Sequence, residues 1–138
     1  MPPALDLRLP PTAEGIGTML DRLEAYAEDA SLPPALASHL CLICEELAAN
    51  IAEHATPAGA SLIAVTVRPE GAALRVMVED DGPAFDPLHA PAPDTAAPLE
   101  ERAIGGLGLH FVRTLAREVC YARADGRNRL SLTLGLTD

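Results

Sequence analysis

Between Pro83 and Ala103 the chain carries Pro83, Pro87, Pro91, Pro93 and Pro98. Each proline removes a backbone N–H donor and fixes φ, so neither a helix nor a central strand tolerates that density. The fold must therefore be assembled from two regular blocks joined by a long irregular connection at about residues 83–104. Inside a compact domain, a connection of that length without secondary structure of its own usually serves as a lid or binding loop.

The two blocks fit one domain spanning 1–138: a chain of 138 residues removes roughly two-thirds of its unfolded surface from water on folding. Hydrophobic residues make up 49% of the chain but aromatic residues only 3%, so the core has to be built from Leu, Val, Ile and Ala. Ala4 to Leu9 alternates apolar Leu5, Leu7 and Leu9 with Asp6 and Arg8, the period of a half-buried strand. Thr12 is placed to cap a helix in which Ile16, Met19, Leu20, Leu23 and Ala27 form an i, i+3, i+4 stripe to about Asp29. A second helix is expected from Pro34 or Ala35 to about His54, with proline in its opening turn. Ser61 to Arg68 and Ala72 to Glu79 then read as a hairpin around Gly71. Beyond the loop, Leu107 to Glu118 has helical periodicity, and Val119 to Arg123 and Arg129 to Leu136 are predicted strands joined at Ala124-Asp125-Gly126.

Ten basic against twenty acidic residues give a net charge of −10, which opposes non-specific binding to nucleic acid or anionic membrane and favours a protein partner. The apolar runs read as short and interrupted by charge, and the first residues lack the basic-then-apolar pattern of a leader, so a cytoplasmic protein is expected. Cys41, Cys44 and Cys120 do not pair off evenly. Cys41-Leu42-Ile43-Cys44 has redox or zinc spacing, but it lies inside a helical pattern without a second ligand pair, so both are expected to be buried small apolar residues. His39, His89 and His110 show no ligand spacing, and no zinc site is assigned.

Three segments carry polar chemistry. On the second helix, Glu46 and Asn50 lie about 40° apart around the axis, whereas Glu45 and Asn50 are about 140° apart. Only Glu46 therefore shares a face with Asn50, at the edge of the arc formed by Leu36, Leu40, Leu47 and Ile51. A half-desolvated carboxylate there can take a proton, and an amide oxygen one turn on can ligand Mg²⁺ without adding charge. Taken alone, the helix is more simply read as a solvated polar rim, and His54 as structural. Asp80-Asp81-Gly82 ends a strand, where a carboxylate beside a glycine can accept a hydrogen bond from an exocyclic amine; alone it reads as a turn. Gly105-Gly106-Leu107-Gly108-Leu109 opens a helix, so free N–H groups and the helix dipole could cradle phosphate, although the segment is neither a Walker nor a Rossmann motif and alone reads equally as a hinge.

Taken together and in this order, Glu46-x3-Asn50-x3-His54, Asp80-x-Gly82-x2-Phe85-Asp86 and Gly105 to Leu109 resemble the GHKL ATP-binding superfamily. Within it they are most similar to the small bacterial anti-sigma-factor serine kinases, and the resemblance covers nearly the whole chain. It implies an α/β fold, a two-layer sandwich of a mixed, mainly antiparallel sheet with helices on one face, and a lid at the proline-rich loop. It further implies ATP and Mg²⁺ as cofactors, Glu46 as general base, Asn50 as metal ligand, Asp80 as the adenine-recognising carboxylate, and Gly82 and Phe85 as the shape of that side. Gly106, Gly108 and Leu109 would close over the phosphates, and Arg102 loosely matches a residue that meets the γ-phosphate. Implied partners are a STAS-type anti-anti-sigma protein, which would be phosphorylated on serine, and a sigma factor, which would be sequestered; a homodimer without nucleic-acid or membrane contact is also implied. Two features depart from the pattern: Ala84 stands at the second glycine of Asp-x-Gly-x-Gly, and the lid is unusually rich in proline. A non-catalytic ATP-binding docking switch and a detached histidine-kinase catalytic domain stay open as alternatives.

Overall fold

The computed structural model describes residues 4–86 and 112–135. Strand β1 (Leu5–Leu9) leads into helix α1 (Ala13–Asp29) and helix α2 (Pro34–Asn50). The π-turn Ile51–Ala55, strands β2 (Ile63–Glu70) and β3 (Ala73–Asp80), and strands β4 (Arg117–Ala124) and β5 (Arg127–Gly135) follow. The strands form one sheet in the order β1-β2-β3-β5-β4, and every pairing among the described residues is antiparallel. Both long helices lie on one face of it, giving the expected two-layer α/β sandwich.

The register shows why one face is core. Leu7, Val65, Val78, Leu130 and Tyr121 are matched in a row across all five strands. Because side chains alternate along each strand, Leu74, Val76, Val78, Leu132 and Leu134 point the same way and are buried. Against them α2 sets Leu36, Leu40, Ile43, Cys44 and Leu47, and α1 sets Met19 and Leu23. Fully burying one such side chain stabilises the fold by about 1.5–3 kcal/mol, so with hardly an aromatic residue the core is held by many aliphatic contacts. The opposite face of the sheet is polar, carrying Arg75 on Glu118 at 3.2 Å and Arg129 on Glu79 at 3.0 Å.

Local chemistry sets the element ends. Thr12 caps α1 by accepting the Gly15 N–H at 3.0 Å. Pro69 lies past Val67, the last residue of β2 that the described part of β1 covers, the kind of position at which a strand tolerates proline. Asp125 and Gly126, the two residues between β4 and β5, both have positive φ (53° and 76°), as the tight hairpin turn of type I′ requires.

Four expectations need correction. The helix predicted over 107–118 is helical over residues 112–115 of its described part and has ended before Arg117, where β4 begins. Glu118, at φ 52°, sits in a register irregularity between Arg117 and Cys120, and this bulge turns residues of helical composition into strand. The second helix is α-helical only to Asn50; the Thr56 N–H then reaches back to the Ile51 carbonyl at 3.1 Å, an i→i+5 bond. Of the Cys41–Cys44 pair only Cys44 is fully buried, Cys41 being half-buried. Finally, the helical stretch Pro34–Ala55 is long and apolar enough to cross a membrane by length and composition, at 22 residues and mean hydropathy 1.3. Its inward residues belong to the core shared with the sheet. The lid residues from 87 onward, with Arg102, Gly105, Gly106, Gly108 and Leu109, lie outside the described residues.

Candidate nucleotide site

At one end of the sandwich the inner face of the sheet and the end of α2 diverge around a cavity of about 320 Å³. Its helical wall is Leu47, Asn50, Ile51, His54 and Ala55; its sheet wall is Val78, Leu130 and Tyr121; and Asp80, Asn128, Pro83 and Phe85 close the end. The volume is at the lower end of the range for small-ligand sites, and the lining has their usual character: mostly apolar, with a few polar groups placed to orient a ligand.

Asp80 reaches the cavity by strand alternation. It continues the buried series Leu74, Val76, Val78, so its carboxylate enters the layer beneath the helices, and it is 8% exposed. Asp80 Oδ1 accepts the Gly82 N–H at 2.8 Å and the Asn128 side-chain amide at 3.0 Å; Oδ2 accepts no hydrogen bond among the described residues. A buried carboxylate held by one oxygen and free at the other can receive an N–H donor from a ligand. Gly82 is required here for space: a Cβ would lie 2.9 Å from Asp80 Oδ1 and 3.1 Å from the Ala55 Cβ. The backbone thus passes between the carboxylate and the π-turn.

Asn50 stands where α2 becomes the π-turn. Its side chain makes no hydrogen bond among the described residues and lines the cavity across from the sheet. The i→i+5 turn redirects the following residues so that Ile51, His54 and Ala55 join the same wall; such π-bulges recur at functional sites. Glu46, one turn before Asn50, is half-buried and does not line the cavity. Burial, then the neighbouring Glu45 carboxylate, raises its carboxyl above the ordinary Glu value. His54 is exposed, 3.9 Å from Glu53. Phe85 is the exposed large hydrophobic residue of the described chain, at 48%, and stands at the cavity mouth.

Of the residues singled out in the sequence, Asn50, Asp80 and Phe85 meet at one cavity, with Gly82 beneath Asp80 and Glu46 along the helix. The sequence reading missed Asn128 and Tyr121. In the sequence Asn128 falls between the expected turn at Ala124-Asp125-Gly126 and the strand expected from Arg129, with nothing to mark it, and its place opposite Asp80 depends on pairing residues far apart in the chain. Among the described residues no cluster of three or more His, Cys, Asp or Glu is placed to hold a metal. A metal here would need ligands from the nucleotide and water beside Asn50, which is the habit of Mg²⁺.

A single sheet backed by helices on one face, with a base-sized pocket between the helix end and a buried strand-end carboxylate, defines an ATPase domain of the GHKL type. Comparison with known proteins agrees. The model of the histidine kinase-like ATPase domain family matches residues 9–134. The serine/threonine-protein kinase BtrW of Bordetella bronchiseptica is 36% identical over 95 residues, 68% of this chain and 67% of that protein. The structure of the RsbU and RsbW domains of Rv1364c from Mycobacterium tuberculosis superposes with a TM-score of 0.66 at 17% identity, over 96% of this chain and 32% of that one. The SiaB–SiaC complex of Pseudomonas aeruginosa gives 0.60 at 19% identity, over 94% of this chain and 88% of that one. The chain belongs to the histidine kinase-like ATPase family, and within it is similar to a serine/threonine-protein kinase.

Proposed function

We propose that this chain is an ATP- and Mg²⁺-dependent protein serine kinase that phosphorylates a STAS-type anti-anti-sigma protein and otherwise sequesters a sigma factor. The observation that carries the nucleotide half of this reading is Asp80: buried, tied through Oδ1, and lining an apolar cavity together with Asn50. The cavity fits a purine ring, whose faces would rest on Ile51, Val78 and Leu130 while its exocyclic amine donates to Asp80 Oδ2. The likeness to a serine/threonine-protein kinase at 36% identity supports the transfer half.

Asn50 offers a neutral oxygen, unengaged among the described residues, on the phosphate side of that pocket, and so fits Mg²⁺. The metal, when bound there, would offset charge on the phosphates of ATP. Glu46, on the same helix face one turn earlier, would orient the incoming serine and take the proton of its hydroxyl. The serine oxygen then bonds to the γ-phosphorus as the bond to the β-phosphate oxygen breaks, and ADP leaves. Gly106, Gly108 and Leu109 are assigned to the phosphate side on sequence alone, and the STAS protein, the sigma factor and a homodimer on family likeness.

The test is transfer itself. With radiolabelled ATP, Mg²⁺ and a STAS-domain protein encoded nearby, acid-stable label on serine is expected, lost in Glu46→Gln and in Asn50→Ala. Nucleotide binding without transfer would make the chain a docking switch, and acid-labile phosphohistidine would make it a histidine-kinase catalytic domain.

A further inference from the structure

Asp80 and Asn128 are the two buried polar side chains among the described residues, at 8% and 6% exposure, and they are bonded to each other. They face one another on adjacent strands, β3 and β5. The Asn128 amide is fully used. Its Nδ2 donates to Asp80 Oδ1 at 3.0 Å and to the Pro83 carbonyl at 2.8 Å. Its Oδ1 accepts the Phe85 N–H at 3.0 Å and the Tyr121 hydroxyl at 2.5 Å. A carboxamide has two donors and two acceptor sites, and all four are taken by groups of matching kind. Rotating the amide by 180° would set NH₂ against an N–H and an O–H, so the partners fix its orientation.

We propose that Asn128 is the positioning residue of the base pocket: it fixes which Asp80 oxygen faces the ligand and holds the Pro83–Phe85 wall against it, so that one amide sets the preference for a purine bearing an amine. The inference rests on Asp80 receiving that amine. Three strands and the exit from β3 meet at this side chain, and nothing else in the described chain bonds both the carboxylate and the loop. Arg123 supports the same loop from β4, donating to the Gly82 carbonyl at 2.7 Å, but it does not touch Asp80. Without Asn128 the carboxylate keeps only the Gly82 N–H and can rotate, and the Phe85 N–H loses its acceptor. Selectivity should then fall further than affinity for the sugar and phosphates, because those parts of the ligand do not meet Asp80.

The experiment compares calorimetric dissociation constants of Mg²⁺–ATP and of purine riboside triphosphate, which lacks the exocyclic amine, for the wild-type chain, Asn128→Ala and Asn128→Thr. Threonine is included because it is a strong strand former that suits a β5 position, and thermal unfolding of both variants reports which of them is folded. The wild type is expected to prefer ATP by about ten- to a hundredfold, the worth of a hydrogen bond to a charged group. Both variants should shrink that ratio at least fivefold while binding purine riboside triphosphate within about threefold of the wild type. A wild-type preference that survives unchanged in the variants overturns the role of Asn128 and leaves Asp80 as the amine acceptor. Equal wild-type affinity for the two nucleotides overturns the Asp80 assignment and, with it, this proposal.

Discussion

Asp81 accepts the Ser61 hydroxyl at 2.6 Å and the Ser61 N–H at 2.7 Å, fastening the end of β3 to the residues that lead into β2, while its neighbour Asp80 turns to the other side of the strand. Two adjacent carboxylates thus have different work. Strand alternation buries Asp80 in the site, and Asp81 ties down the surface chain beside it, with a third bond from the Leu62 N–H at 3.0 Å.

The Ser61 hydroxyl, ahead of the opposing desolvation and the Ser61 and Leu62 amides, holds the Asp81 carboxyl below its ordinary value of 3.8. A folded-state pKa below the unfolded one gives stability that is present above the unfolded value and is lost as pH falls through the folded one. Asp81→Asn should therefore cost stability at pH 7, by about 1 kcal/mol once solvent screening of so exposed a group is allowed for. That difference from wild type should shrink below about pH 4, near the reference value for aspartate. Urea unfolding of both proteins at pH 7 and near pH 3.5 measures it, and a difference of the same size at both would contradict the electrostatic origin.

Gly82→Ala places a methyl carbon 2.9 Å from Asp80 Oδ1. The carboxylate or the Ala55 backbone must yield, at a cost of about 1–3 kcal/mol, the usual penalty of overpacking. For a chain of this size that is a drop of several degrees in Tm, at roughly 2–8 °C per kcal/mol. ATP affinity should fall with it, because the displaced group is the one assigned to the base. Thermal unfolding with and without Mg²⁺–ATP checks both effects.

Glu46→Gln is expected to abolish phosphoryl transfer, to leave nucleotide binding within about threefold, and to raise Tm slightly near neutral pH, by about 1–3 °C. The sign follows from its raised pKa: burial and Glu45 disfavour the charged form in the folded chain. Glu46 therefore favours folding below its unfolded pKa, and that stability is lost as pH rises through the folded value. A neutral isostere escapes the penalty. Differential scanning at pH 5 and pH 8 should show the gain at the higher pH.

Much of the fold was legible because its elements carry strong local signals. The Thr12 cap, the 3.6-residue stripe of α1, the alternation of β3 and the Asp125-Gly126 turn all act over a few residues. Where a local pattern competed with tertiary pairing the reading failed. Arg117 and Glu118 continue a helical pattern, yet pairing with β5 and the Glu118 bonds to Arg75 and Thr133 draw them into β4. The π-turn after Asn50 was invisible for a similar reason: Ala, Glu and His suit either turn, and packing against the cavity decides. Asn50, Asp80 and Phe85 could be named from motif order. Asn128 could not, since its meaning comes from the β3–β5 register.

Calorimetric titration of Mg²⁺–ATP into wild-type and Asp80→Ala protein tests most directly whether Asp80 receives an adenine nucleotide in the cavity beside Asn50. One nucleotide per chain is expected to bind the wild type, with affinity reduced at least tenfold in Asp80→Ala although the variant stays folded. No heat from the wild type, or the same affinity in both proteins, would contradict it.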